Sequence, residues 1–545
     1  MTPCLARQDI TDRTEAADSN EATERKDPTA NTEPNEPIDP TDNADPTEPI
    51  ESTEPLHAMQ RTESSEASDH LDPRPAAAAI YPSWPARRAV ARRRSSSILA
   101  PIGLRFVRFV VSAAASYPDV GYQPEGAHMR GIRRRRLEVT LTACAGLLMA
   151  IVPASTTAGG STGVARSSPG EAHVLSTVVG GPSATPKGFA PATIRNEYGF
   201  NGMGSDANGN PIDGRGQIIG IVLWDYDPYL QSDMSKFLKT YSYLTPMAGL
   251  TATSKCTISR TIHTTPCFEV AYATGVKPPP MPASDRVEAS LDVEWAHVTA
   301  EGADIVFVEA AGSTGPQLLV AVDEAVTLGA TVVSMSWDQT GITAADNSHF
   351  DAPTAGFVSG SGDFGCPDNS GQPYPSESSY VLSVGGTQLF TDGAQTAWNK
   401  SGGAINNTES RPSYQLNWSV GPYRVDNDVS YNAVDYPITV KGKWLEAFGV
   451  SAGIPQWAGL IADADQDRVS RGNSVLAAQG LLDGIYLAAA SHGAIPPDPS
   501  PAMFDDITTG SAGSKGVCHG STGWDWPTGL GTPHADALVN ELADL

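Results

Sequence analysis

The sequence predicts one large α/β domain with a mostly parallel central sheet flanked by helices, and two observations predict it. Continuous apolar runs at 218–223, 303–308 and 330–336 are too uniformly hydrophobic for strands with a wet face, so they read as strands covered on both sides, as in parallel sheets. Helical patterns at 284–299, 317–328 and 455–465 alternate with them, and strand–helix alternation over some 350 residues is the signature of a doubly wound domain, here bounded at 188–545.

The preceding residues have a different texture. Residues 1–72 hold 19 Asp and Glu against 5 Lys and Arg, with repeated Thr-Glu-Pro units and almost no aromatics, so they cannot bury enough apolar surface to offset chain entropy. Residues 73–136 reverse the sign with 13 Arg against 2 acids. The stretch 1–128 is therefore expected to be disordered, acidic and then basic. Arg133-Arg134-Arg135-Arg136 leads into the apolar run Ala143-Cys144-Ala145-Gly146-Leu147-Leu148-Met149-Ala150-Ile151-Val152 and then into small residues to Gly160, the layout of a secretory signal over 129–159. An export signal so deep in the chain places the expected start of translation at or near Met129. Glu138, Thr140 and Thr142 interrupt the apolar run, so no stable membrane association is expected after signal cleavage. Residues 160–187, rich in Gly, Ser, Thr and Pro, read as a flexible linker.

Charge and cysteines narrow the function classes. The formal net charge is −26, and from residue 137 onward 41 acids face 18 bases, which argues against nucleic acid as a partner and suits work in acid. Outside the leading segments four cysteines remain. Cys256 and Cys267 are close in sequence and are expected to pair, leaving Cys366 with Cys518, as an oxidising compartment allows. No Cys-x-x-Cys or His-x-x-x-His spacing supports a metal alternative. Asp206-Ala207-Asn208-Gly209-Asn210 begins like a calcium loop, but Pro211 stands where that motif needs Gly, so it reads as a surface turn.

Three stretches carry chemistry. Gly449-Val450-Ser451-Ala452-Gly453 puts a serine in a tight turn at the start of a helix, which fits either a nucleophile or a simple cap. Glu288 and Asp292 stand at i and i+4, on one helix face, where two carboxyls share a proton and raise one pKa. A solvated acidic face is the alternative, though Leu291, Val293 and Trp295 make this helix largely apolar. Ser361-Gly362-Asp363-Phe364-Gly365 is a Gly-rich turn presenting one acid. No histidine sits in a context suited to a catalytic base, which leaves a carboxylate for that role.

Together with Ser334-Met335-Ser336-Trp337, Tyr374-Pro375-Ser376-Glu377, Asp428-Val429-Ser430 and Pro455-Gln456-Trp457, these stretches resemble the sedolisin, or serine-carboxyl peptidase, family from about residue 185 to the C-terminus. The resemblance implies a subtilisin-like fold and an acid-acting secreted endopeptidase, a monomer acting on protein or peptide substrates through an acyl-enzyme. By motif it implies Ser451 as nucleophile, Glu288 as general base and then acid, Asp292 as the residue orienting Glu288, and a protonated Asp363 as oxyanion donor. It also implies one structural Ca²⁺ held by the Asp506 and Asp525 side chains and the carbonyls of Ile507, Ser521 and Gly523. A tripeptidyl-peptidase-type exopeptidase is the nearest variant, and a catalytically silent exported binding protein the rival from another class. Two departures stand out. Val450 replaces the threonine usual before the nucleophile, and only a short linker stands where the family carries a long folded propeptide, so activation by propeptide removal is not expected.

Overall fold

The structure, a computed structural model, describes residues 170–366, 374–419, 421–513 and 518–545, all within the compact unit Gly146–Leu545. The expected disorder over 1–128, the signal at 129–159 and the first part of the linker lie outside the described residues.

An eight-stranded sheet forms the centre. Its strands are β1 (Ile218–Trp224), β2 (Phe268–Tyr272), β3 (Asp304–Ala310), β4 (Val332–Met335), β5 (Gly356–Gly360), β6 (Leu382–Leu389), β7 (Gln395–Ala397) and β8 (Val429–Asn432). The order is β7-β6-β5-β4-β1-β3-β2, with β8 also on β6, and every pairing is parallel except β7 with β6. All residues of β1, β3, β4 and β5 are buried, which is why these strands read as unbroken apolar runs.

The principal helices are α1 (Leu230–Thr240), α2 (Arg286–Thr299), α3 (Gly315–Thr327), α4 (Gly453–Ser470) and α5 (Ala535–Asp544). Helix α3 starts where Thr314 and Gln317 form a reciprocal capping box, with Pro316 in the first turn. Helices α2 and α4 cross closely, because a Cβ at Gly459 would collide with Thr299 Oγ1. Every residue of α2 from Val287 to Thr299 is buried, so the alternative of a solvated acidic face does not hold.

The reading of 160–187 as a flexible linker differs from the structure in its described part. His173–Val174 pairs antiparallel with Trp337–Asp338, Thr177–Val178 pairs antiparallel with the end of the strand Lys443–Phe448, and Leu175 is 0% exposed. The run His173-Val174-Leu175-Ser176-Thr177-Val178-Val179 is rich in β-branched residues, and that local preference for extended pairing prevails over the Gly- and Ser-rich average of the region.

Both expected disulfides are present. Cys256–Cys267 closes a short loop, and Cys366–Cys518 joins positions 152 apart in sequence. Asp206 accepts hydrogen bonds from the amides of Asn208 and Asn210, both at 2.9 Å, so that motif is a surface turn.

Candidate active site

Ligand crevices of parallel sheets lie beyond the carboxyl ends of the strands, and the candidate residues gather there. Ser336 directly follows β4, and the turn bearing Asp363 follows the neighbouring β5. Ser451 sits in a single 3₁₀ turn, Val450–Ala452, that opens into α4, while Glu288 and Asp292 come from α2.

The two carboxyls form a buried pair, both 0% exposed. Ser336 donates its hydroxyl to Asp292 Oδ1 at 2.7 Å, and Ser176 donates its hydroxyl to Glu288 Oε2 at 2.6 Å. Oε1 of Glu288 and Oδ2 of Asp292 are buried without a hydrogen-bond partner, and the two carboxyls are close enough to act on one another electrostatically. A proton shared between them satisfies both oxygens. Burial holds the pKa of each well above the ordinary carboxyl range, and the Asp292 charge pushes Glu288 further in the same direction. The Ser451 hydroxyl is near enough to favour the ionised form of Glu288, yet its Oγ makes no hydrogen bond of good geometry in this state.

On the opposite rim, Asp363 accepts the Val450 N–H at Oδ1, 2.9 Å away, and its Oδ2 is buried and unpartnered. Burial, and then the charge of Glu288, raise its pKa well above the carboxylate range, against the opposing pull of the Val450 amide. A carboxyl held neutral in this way has an O–H to donate.

Gly449 lets these groups converge. Its φ of +143° lies in a region that side chains rarely adopt, and a Cβ there would collide with the Leu175 carbonyl oxygen and lie 2.8 Å from Asp363 Oδ2. The Ser451 N–H donates to that same carbonyl oxygen at 3.3 Å. The site therefore presents a hydroxyl, a raised carboxyl pair beside it, an N–H that meets a peptide carbonyl, and a second carboxyl on the same side of Gly449. Such a set suits acyl transfer.

Sequence reasoning missed Ser176, Leu175 and the role of Ser336 as a donor to Asp292. Ser336 lies in a stretch marked as a motif, but nothing local to residues 170–180 links them to α2. Of the histidines, His297 on α2 is buried, hydrogen-bonded through Nε2 to the Thr245 carbonyl, and has its pKa lowered by burial.

The residues expected to hold calcium are brought together in part. The Gly523 N–H donates to Asp506 Oδ2 at 2.9 Å, the Ser521 N–H donates to Asp525 Oδ2 at 2.7 Å, and the Ile507 carbonyl lies beside Gly520. Burial, with a smaller push from Asp506, raises the Asp525 pKa to about 7. Among the described residues no three His, Cys, Asp or Glu side chains are grouped as a metal site, so an ion here would depend on main-chain carbonyls.

No protein-family profile matches the chain. Its sequence is similar to tripeptidyl-peptidase 1 of Dictyostelium discoideum, 33% identical over 207 residues (34% of this chain, 33% of that protein). It is also similar to sedolisin of Pseudomonas sp., 30% identical over 206 residues (32% and 33%). The chain thus spans about a third of the length of the curated relatives it matches. Among solved structures, the fold matches Pseudomonas sedolisin, a serine-carboxyl proteinase, with a TM-score of 0.51 and 23% identity over 66% of this chain and 98% of that one. The sequence resemblance to the sedolisin family and the shared subtilisin-like α/β fold are thus both supported.

Proposed function

We propose, with the likeness to sedolisin and the tripeptidyl-peptidases as premise, that the chain is a serine-carboxyl peptidase hydrolysing peptide bonds through an acyl-enzyme on Ser451. The observation that supports this best is the Leu175 carbonyl, which accepts the Ser451 N–H at 3.3 Å on the rim where the unpartnered Asp363 Oδ2 also lies.

Glu288 takes the proton from Ser451 Oγ as that oxygen attacks the carbonyl carbon, then returns it to the leaving amine. Asp292, fixed by Ser336, orients Glu288 and shares its proton. Asp363 in its neutral form and the Ser451 N–H donate to the developing oxyanion, a contribution of about 2.7–4 kcal/mol for one such donor. Water then repeats the attack on the ester. Ionised Asp363 would repel the intermediate, so hydrolysis is fastest in acid and fades as pH rises through the Asp363 pKa. An extended chain runs on both sides of Ser451 in the cleft, which favours internal bonds and an endopeptidase. The names of the relatives favour tripeptide removal as the second reading.

The protein acts outside the cell as a monomer on proteins or peptides, a location that the two disulfides favour. Among the described residues no helix is long and apolar enough to cross a membrane. The 506–525 loop would hold Ca²⁺ through Asp506 and Asp525 with the carbonyls of Ile507, Ser521 and Gly523. Its all-oxygen donors and its two mutually repelling carboxyls, of which Asp525 is raised, fit a hard cation that would brace this loop. A chelator should lower Tm; an unchanged Tm rejects the ion.

The enzymatic reading is tested with quenched peptides from about pH 2 to 7, with N-termini free or blocked. Wild type should cleave in acid, Ser451→Ala and Glu288→Gln should lose roughly 10⁴-fold or more in kcat, and blocked peptides should still be cut. A protein that cleaves nothing at any pH rejects the reading, and cleavage of free N-termini alone selects the exopeptidase.

A further inference from the structure

We infer that Asp227 and Arg286 are positioning residues, an ion pair that fixes the first turn of α2 and with it the reach of Glu288 towards Ser451. The inference rests on the peptidase reading above and adds to it two residues that no motif marks, together with a cause for activity lost in strong acid.

Helix α2 begins at Arg286, two residues before Glu288, and it begins without a side-chain cap: Asp285 stands at the N-cap in a helical conformation and makes no capping hydrogen bond. The first amides of such a turn have no partner within the helix, so the turn is held by what surrounds it. Two ties do this, both from the chain that leaves β1. The Trp224 indole Nε1–H donates to Asp285 Oδ2 at 2.9 Å, and Asp227 Oδ1 lies 3.6 Å from Arg286 Nε. The Arg286 guanidinium also lies over the Tyr229 ring, 5.5 Å from its centre.

Asp227 is itself fixed to the sheet. Its side chain is 0% exposed, its Oδ1 accepts the Tyr229 N–H at 2.9 Å, and its own N–H donates to Glu309 Oε1 at 3.1 Å, on the last turn of pairing between β1 and β3. The Asp225 N–H donates to the Ala310 carbonyl at 3.0 Å beside it. Among the described residues Arg286 is the one base paired with Asp227, and Asp227 Oδ2 and Arg286 Nε are buried without a hydrogen bond. Removing either partner would leave the other as an uncompensated buried charge, so the turn must rearrange to let water reach it. The same turn carries Glu288, which has to meet Ser451 Oγ at hydrogen-bond distance during proton transfer.

The tie holds only while Asp227 is ionised. Burial raises its pKa and the Asp233 charge adds to that, while the Tyr229 N–H and the charges of Arg286 and Lys441 pull it back. Glu309 is pushed up to about 8, chiefly by burial, with the charges of Asp227 and Asp225 adding and Lys277 opposing. Glu309 is thus neutral in acid, and Asp227 is the carboxylate that faces Arg286. As pH falls through the Asp227 pKa the carboxyl takes a proton, the attraction to Arg286 is lost and the first turn of α2 loosens. Turnover then falls on its acid side for a reason separate from protonation of Glu288.

The test measures kcat and KM on a quenched peptide from about pH 2 to 7 for wild type, Arg286→Gln, Arg286→Lys, Asp227→Asn and the double variant Asp227→Asn/Arg286→Gln. At the wild-type optimum Arg286→Gln and Asp227→Asn should each lower kcat roughly 10²-fold, the cost of a misplacement of about 1 Å, with KM changed by less than about threefold. Arg286→Lys keeps a cation for a contact that is not bidentate and should recover about tenfold of that loss. The ratio of wild-type to Arg286→Gln kcat should shrink as pH falls, because protonated Asp227 releases the turn in both proteins. The double variant should be no slower than the slower single one. Should Asp227→Asn fail to fold, the two Arg286 variants decide. Wild-type kcat in Arg286→Gln, a loss confined to KM, a ratio constant across pH, strict additivity in the double variant, or an Arg286→Lys no better than Arg286→Gln overturns the inference and leaves the peptidase reading standing. A wild type that cleaves nothing at any pH overturns both.

Discussion

At the residue scale, the four catalytic candidates stood out as a serine in a turn before a helix, two acids one helical turn apart and an acid between glycines, each with a second reading, and their roles came only from the family resemblance. Ser176 was not legible, since its hydrogen bond to Glu288 spans 112 positions and no local pattern encodes such a contact. Val450 is explained by its surroundings. It is 1% exposed, its methyl groups approach Gly360 and Gly386, and it contributes its backbone N–H to Asp363, so a threonine there would bury a hydroxyl among apolar neighbours. Gly449 offers the sharpest single-residue prediction. Gly449→Ala should push the carbonyl out of reach of Ser451 N–H and Asp363, lowering kcat on peptides by roughly 10²–10³-fold, the cost of a lost oxyanion donor. A variant with wild-type kcat would show that this approach is not used.

Helix α2 shows what could be read at the element scale. Its apolar spacing predicted a helix over 284–299, and the structure places it at Arg286–Thr299. Whether its acids faced water could not be read, because that depends on what covers the helix. Helix α4 does so on one side, and on another the strand Tyr436–Val440 takes part, with Trp295 donating its Nε1–H to the Pro437 carbonyl at 3.3 Å and Thr439 donating its N–H to Glu294 Oε2 at 3.1 Å. The crossing of α2 and α4 is tight at one point. Gly459→Ala should therefore destabilise the fold by about 1–3 kcal/mol through overpacking against Thr299, measured by denaturant unfolding. Adding Thr299→Ala should recover part of the loss; strict additivity of the two changes would count against that contact.

For the whole molecule, the parallel sheet was legible from its uniformly apolar strands, while the order β7-β6-β5-β4-β1-β3-β2 was not, because crossovers leave no mark in sequence. The acidic composition has a consequence beyond the site. Burial lifts Glu309 from 4.5 to about 8 and Asp426 from 3.8 to about 6. Groups that hold protons more tightly when folded contribute stability that is fully present below their unfolded pKa values and is lost as pH rises through the folded ones. Thermal stability should thus decline between about pH 4 and 8, by up to about 1.4 kcal/mol per pH unit for each group still protonated only in the fold. A Tm that rises across this window would contradict the placement of these acids. The strand pairing of 171–179 also fixes a matter of concentration. A tethered occupant meets its site at an effective concentration of about millimolar, so a free peptide enters the cleft only in competition with residues 171–179.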